Sequence, residues 1–179
     1  MKGKILRQLE IVDRIPNIFL DWLQSTDFFI APASTKHHNV FEGGLALHSW
    51  NVFENLFDKV LKYKLNLPYE TIAICALLHD LCKINKYHKV EEGGSITVNW
   101  IKEDKFPLGH SAKSIYLIQQ FFTLTEQEAI MIYYHMGPFE HKVEEFNNAF
   151  KLYPEVMALY LADHEATAFM GQNTIVIHR

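Results

Sequence analysis

The chain has 179 residues, 49% apolar, 13% aromatic and 21% charged, which excludes a disordered or fibrous polymer and suits one globular domain that buries a core without staples. No stretch reaches the roughly 18 uncharged apolar residues of a membrane span, and Glu10 and Asp13 interrupt the basic N-terminal segment before a signal-peptide core develops, so the expected setting is cytoplasmic. A formal charge of −4 gives no basic field for long duplex nucleic acid, which favours a small or short partner.

Apolar periodicity near 3.6 dominates, so the expected fold is mainly all-α. Helices are predicted over about 3–14 and, after Pro16, about 17–24, followed by an irregular crossing segment, DFFIAPASTKHHN. A long third helix follows Gly43-Gly44. Its stripe of Leu45, Val52, Phe53, Leu56, Phe57, Val60 and Leu61 places His48 on the buried side. Pro68 opens a fourth helix, PYETIAICALLHDLCKI, apolar almost all round and therefore central. Cys75 and Cys82 fall about two turns apart in that run, too far for a disulfide. They are expected to pack as buried thiols, the alternative being a ligand or nucleophile.

Around residues 85–105 the alternation of Ile96, Val98 and Trp100, beside EEGGS, predicts a small β-hairpin. Helical periodicity returns over about 109–122. Thr125 to Glu128 is a capping-box pattern opening a helix that should end near Gly137-Pro138. A short helix is expected over 142–149, a last strong one from Pro154, and a short extended tail in NTIVIHR. No repeat or linker interrupts the chain, which reads as a single domain.

Ten histidines in this length are the compositional oddity, since imidazole is the commonest metal ligand. His79-Asp80 ends the apolar run IAICALL, and burying either side chain unpaired would cost several kcal/mol, of order 3–5 for a broken buried pair. A divalent cation compensates both, because a neutral imidazole and a carboxylate each ligate Zn, Mn or Fe. Further ligands must come from other helices: His48 lies on the apolar face of the preceding one, and Asp163 interrupts the stripe of Val156 and Tyr160 on the last.

This order of His48, His79-Asp80 and a distal Asp163 resembles the HD superfamily of metal-dependent phosphohydrolases, over roughly residues 37–168. GGLALHSWNV, ALLHDLCKI and LYLADHEATAF are similar to the family's ligand-bearing segments. Gly109-His110 and His135 resemble the two extra histidines of members that bind a second metal. The pattern is particularly similar to the HD domains of bacterial 3′-to-5′ exoribonucleases, although no OB domain accompanies it, and His135-Met136-Gly137 stands where those relatives commonly show His-His-Gly.

The resemblance implies an HD helical bundle with two divalent ions, one held by His48, His79, Asp80 and Asp163, the other by His110, His135 and a bridging Asp80. The ligand types leave Mn, Fe, Mg, Zn, Ni and Co open. Lys83, at i+4 from His79, is placed to neutralise phosphate charge, and His37 and His38 to line the substrate entrance, a polar-loop role being the alternative for these two. The hairpin's Tyr87, His88 and Trp100 could lid the pocket or stack on a base, and Tyr133, Tyr134 and Phe139 could wall it, packing being the default for each group. The expected activity is hydrolysis of a phosphomonoester or phosphodiester of a nucleotide, cyclic nucleotide or short oligonucleotide by a metal-activated water. A stand-alone 3′-to-5′ nuclease, a di-iron oxygenase and a non-catalytic nucleotide-binding module are the alternatives.

Overall fold

Eight α-helices and one two-stranded antiparallel sheet make up the computed structural model, which describes residues 1–36, 38–91 and 98–171. α1 (Lys2–Glu10) and α2 (Asn17–Ser25) cover one side of the core. α3 (Gly44–Tyr63) packs along both α4 (Tyr69–Leu78) and α8 (Glu155–Phe169), while α5 (His110–Gln119), α6 (Glu126–Tyr133) and α7 (Val143–Leu152) complete the bundle. No helix among the described residues is long and apolar enough to cross a membrane.

α4 is the centre because its sequence leaves no polar face: every residue from Thr71 to Leu78 is buried. α3 shows the opposite logic. Leu45, Val52, Leu56 and Val60 are buried on one stripe with His48, whereas Phe57 and Leu61, expected on that stripe, lie at its margin and outside it. The helix starts where only glycine fits. Gly43 has φ +82, and a Cβ on Gly44 would meet the carbonyl oxygen of Asn39 at 2.0 Å, which lets the crossing segment press against α3.

Several boundaries differ from expectation. The first helix stops at Glu10 rather than near 14, yet Val12 and Ile15 are buried; the apolar pattern continues because the connection itself is covered. The fourth helix ends at Leu78, and Leu81–Lys83 form a separate 3-10 turn. The Thr125 capping box forms, Thr125 Oγ1 accepting from the Glu128 amide at 3.2 Å and Glu128 Oε2 from the Thr125 amide at 2.9 Å. That helix ends at Tyr133, and a second 3-10 turn covers Gly137–Phe139.

The hairpin consists of β1 (Tyr87–Glu91) and β2 (Val98–Lys102), with Tyr87 opposite Lys102 and Glu91 opposite Val98. Its tip, 92–97, and the tail NTIVIHR lie outside the described residues. Asp104 clamps the hairpin's base to α5: its carboxylate accepts from Lys113 at 3.0 Å and meets Lys86 at 3.2 Å. Cys75 and Cys82 are both buried and free.

Candidate metal centre

α4 reaches the centre of the molecule and then changes pitch at the two residues that carry most chemistry. His79 keeps helical dihedrals, but Asp80 has φ −99 and ψ 18, leading into the 3-10 turn. The break turns both side chains into one space instead of leaving them about 100° apart on a continuous helix. It also moves Lys83, whose ammonium sits 2.6 Å from Asp80 Oδ2 as an i,i+3 pair rather than on the His79 face.

Four elements bring the remaining groups to this point. His48 from α3 places Nε2 3.0 Å from Asp163 Oδ1 of α8 and 3.4 Å from Asp80 Oδ2. His79 Nε2 lies 3.3 Å from His48 Nε2, 3.5 Å from Asp80 Oδ2 and 3.9 Å from Asp163 Oδ1. On the other side of Asp80, His110 Nε2 at the start of α5 is 2.6 Å from Oδ1, and His135 Nε2, just past α6, is 3.8 Å from it. All six of the predicted residues are therefore brought together, and each except His110 is less than a tenth exposed.

The histidines present defined faces. His79 Nδ1 donates to the Ala76 carbonyl at 2.9 Å, and His135 Nδ1 to the Ile132 carbonyl at 2.6 Å; a carbonyl only accepts, so each Nδ1 carries a proton and each Nε2 faces the centre, where a neutral ring offers its lone pair. His110 Nδ1 is 3.4 Å from Cys82 Sγ, again leaving Nε2 toward Asp80. His135 Nε2 is buried without any hydrogen-bond partner among the described residues, as is Nδ1 of His48.

Charge balance follows from these contacts. Burial would push the Asp80 carboxyl up, but Lys83, His79 and His110 hold it well below the usual range. Asp163 is likewise held down, chiefly by the hydrogen bond from His48 working against burial. Burial pushes His48 down, and burial together with the charges of His79 and His110 pushes His135 down to about 3. For His110 burial is outweighed by Cys82 and Asp80, which push it up to about 10; for His79 burial is outweighed mainly by Asp80, again upward.

The donor set fits divalent metal. Around an ion with bonds of about 2.1 Å, tetrahedrally placed donors stand about 3.4 Å apart. His48 Nε2, His79 Nε2 and Asp80 Oδ2 lie 3.3–3.5 Å from one another, and Asp163 Oδ1 adds a donor 3.0 Å from His48 and 3.9 Å from His79. Among the described residues, three groups could hold an ion: His48, His79 and Asp80; His79, His135 and Asp163; and Asp80, His110 and His135. Asp80 turns one oxygen toward His48 and the other toward His110, the disposition of a bridging carboxylate.

Beside these ligands opens a cavity of about 480 Å³, lined on one wall by Ala33, Ser34 and His38, at its base by Asp80, Lys83 and His110, and elsewhere by Tyr87, Phe139 and His164. His38 stands with its ring centroid 5.0 Å from that of His48, and His37 lies outside the described residues. Of the hairpin aromatics, Tyr87 reaches the cavity, while His88 faces outward toward Glu103. Tyr133 and Tyr134 pack on His141 instead, so of the three suggested wall residues only Phe139 borders the cavity.

Other residues at the site carried no sequence signal. Glu140 accepts from the His110 amide at 2.8 Å and from Ser111 Oγ at 2.6 Å, and so fixes the first turn of α5 behind His110. Such a cap satisfies exposed amides and complements the helix dipole. Cys82 is the buried thiol expected, and its Sγ also abuts the His110 ring. Spacing of 29–30 residues hides the Glu140 contacts from any local pattern.

An all-helical core whose central helix delivers a buried His-Asp pair to three further histidines and a distal aspartate defines a class of helical metal-binding domains. The HD domain matches residues 45–168, and the chain belongs to the HD-domain family, whose members are in the main metal-dependent phosphohydrolases. No curated protein and no solved structure matches the chain.

Proposed function

We propose that this HD domain is a phosphohydrolase with two divalent ions, acting on a phosphomonoester or phosphodiester of a nucleotide, cyclic nucleotide or short oligonucleotide. The observation that carries this reading is the buried Nε2 of His135, without a hydrogen-bond partner among the described residues and held by its Nδ1 bond so that it faces Asp80 Oδ1. An unsatisfied buried nitrogen is costly, and a cation shared with Asp80 and His110 would satisfy it.

His48, His79, Asp80 and Asp163 would hold one ion, and Asp80, His110 and His135 the other. Such an ion pair polarises a phosphoryl oxygen and lowers the pKa of water. The chain's own groups do the rest. Lys83, buried at the cavity base, offers a permanent positive charge, since Asp80 raises its pKa further against the effect of burial; it neutralises phosphate oxygens and orients the ester. His38 lines the way in, its ring beside that of His48. Glu140 and Cys82 keep His110 aimed at Asp80.

The stand-alone nuclease and di-iron oxygenase readings use the same ligands, so the test must separate them. Protein loaded with Mn²⁺ should release phosphate or nucleoside from at least one member of a panel of mononucleotides, cyclic nucleotides and short oligonucleotides, and Asp80→Ala should not. Equal inertness of wild type and Asp80→Ala across the panel would overturn the reading. An iron-bound chromophore that responds to O₂ would assign the centre to oxygenase chemistry.

A further inference from the structure

The cavity has a wall that phosphoester hydrolysis leaves without a role. Gly137 adopts φ +53, and a Cβ there would fall 2.5 Å from Cε2 of Tyr160; glycine alone lets the Gly137–Phe139 turn close on α8. The close approach seats Phe139 at the cavity rim, 76% exposed. Its ring lies within 22° of parallel to that of His164, centroids 5.7 Å apart. His164 is itself fixed, donating from Nδ1 to the Tyr160 carbonyl at 2.9 Å and packing on the Tyr160 ring at 4.1 Å.

Folding gains little from an aromatic ring left three-quarters exposed, and a glycine-dependent turn holds it there. Phe139 and His164 border the same cavity as Lys83 and Asp80, so a rigid flat apolar surface faces the space entered by whatever binds the charged end. We propose that Phe139, backed by His164, is a stacking platform for a planar aromatic ring of the substrate, a nucleobase above all, and that it makes the site selective for ring-bearing over aliphatic phosphoesters. This rests on the phosphohydrolase reading for the position of the phosphate. A cavity of about 480 Å³ holds a single nucleotide unit, within the range usual for small-ligand sites.

The test is calorimetric binding to metal-loaded protein of two phosphonate analogues, of adenosine 5′-monophosphate and of ribose 5-phosphate, in which a carbon–phosphorus bond replaces the ester and prevents turnover. The two ligands differ only by the base. The adenosine analogue should bind about tenfold tighter or better, as expected for one stacked base. Phe139→Ala should abolish that preference without lowering the melting temperature, and Phe139→Trp should retain it. Equal affinities in wild type, no binding of either ligand, or a preference that survives Phe139→Ala would overturn the platform. Failure of the phosphohydrolase reading is distinguishable, because it leaves the base preference intact while hydrolysable nucleotides are not turned over.

Discussion

His79 and Asp80 are the residues whose role physics makes most legible. An imidazole and a carboxylate at the end of an apolar helix must be compensated, and both are essentially inaccessible in the structure, each within 4 Å of at least three others of the six residues. His48 and Asp163 were readable from helix faces together with family spacing, whereas His110 and His135 were readable from resemblance alone. Glu140 was not readable, because an acidic residue in a Pro-containing turn resembles any solvated surface charge. Its contacts make a specific prediction. Glu140→Ala should weaken metal binding by about 10–100-fold, the usual effect of losing an outer support of a ligand, with Glu140→Gln retaining most affinity because the amide oxygen still accepts from His110 and Ser111. Competitive titration against a metal-sensitive dye measures this, and equal affinity of Glu140→Ala and wild type would remove Glu140 from the site.

At the scale of elements, periodicity located every helix but misjudged where several stop. Apolar residues continue past His79-Asp80 through Leu81, Cys82 and Ile84, so no pattern marked the change of pitch there. That change is imposed by packing of the 3-10 turn against α5, where the Cys82 amide donates to Ser114 Oγ at 3.0 Å. The hairpin was visible from its alternation, but not the clamp at its base. Burial pushes the Asp104 carboxyl up slightly, yet hydrogen bonds from Lys113 and Lys86 outweigh it and hold the group down to about 2, from an ordinary 3.8. A depressed carboxylate stabilises the folded state above its unfolded pKa, and the contribution is lost as pH falls through the folded one. Asp104→Asn should therefore cost about 1–2 kcal/mol at pH 7, and the difference from wild type should shrink between pH 4 and pH 2. Urea melts across that range check the sign; a difference independent of pH would show that the pairs to Lys86 and Lys113 contribute nothing.

At the scale of the whole molecule, the HD fold gathers six residues spread from 48 to 163 onto one centre, opens a cavity beside it, and lines that cavity with a lysine and an exposed aromatic ring. Sequence carried the residues of this cluster, His79 and Asp80 through burial physics, His48 and Asp163 through helix face and family spacing, and His110 and His135 through resemblance. It named Phe139 as a wall residue but did not carry the turn that seats it there, which depends on the close approach to α8 at Gly137. The central claim is that these six residues form a dinuclear metal centre, and equilibrium dialysis against Mn²⁺ with elemental analysis tests it most directly. Wild type should retain about two ions per chain, as two-metal phosphoester hydrolysis requires. His110→Ala should retain about one, and Asp80→Ala, which removes the shared carboxylate, should fall below that. Wild type that binds no metal, or a stoichiometry unchanged by either substitution, would contradict the account.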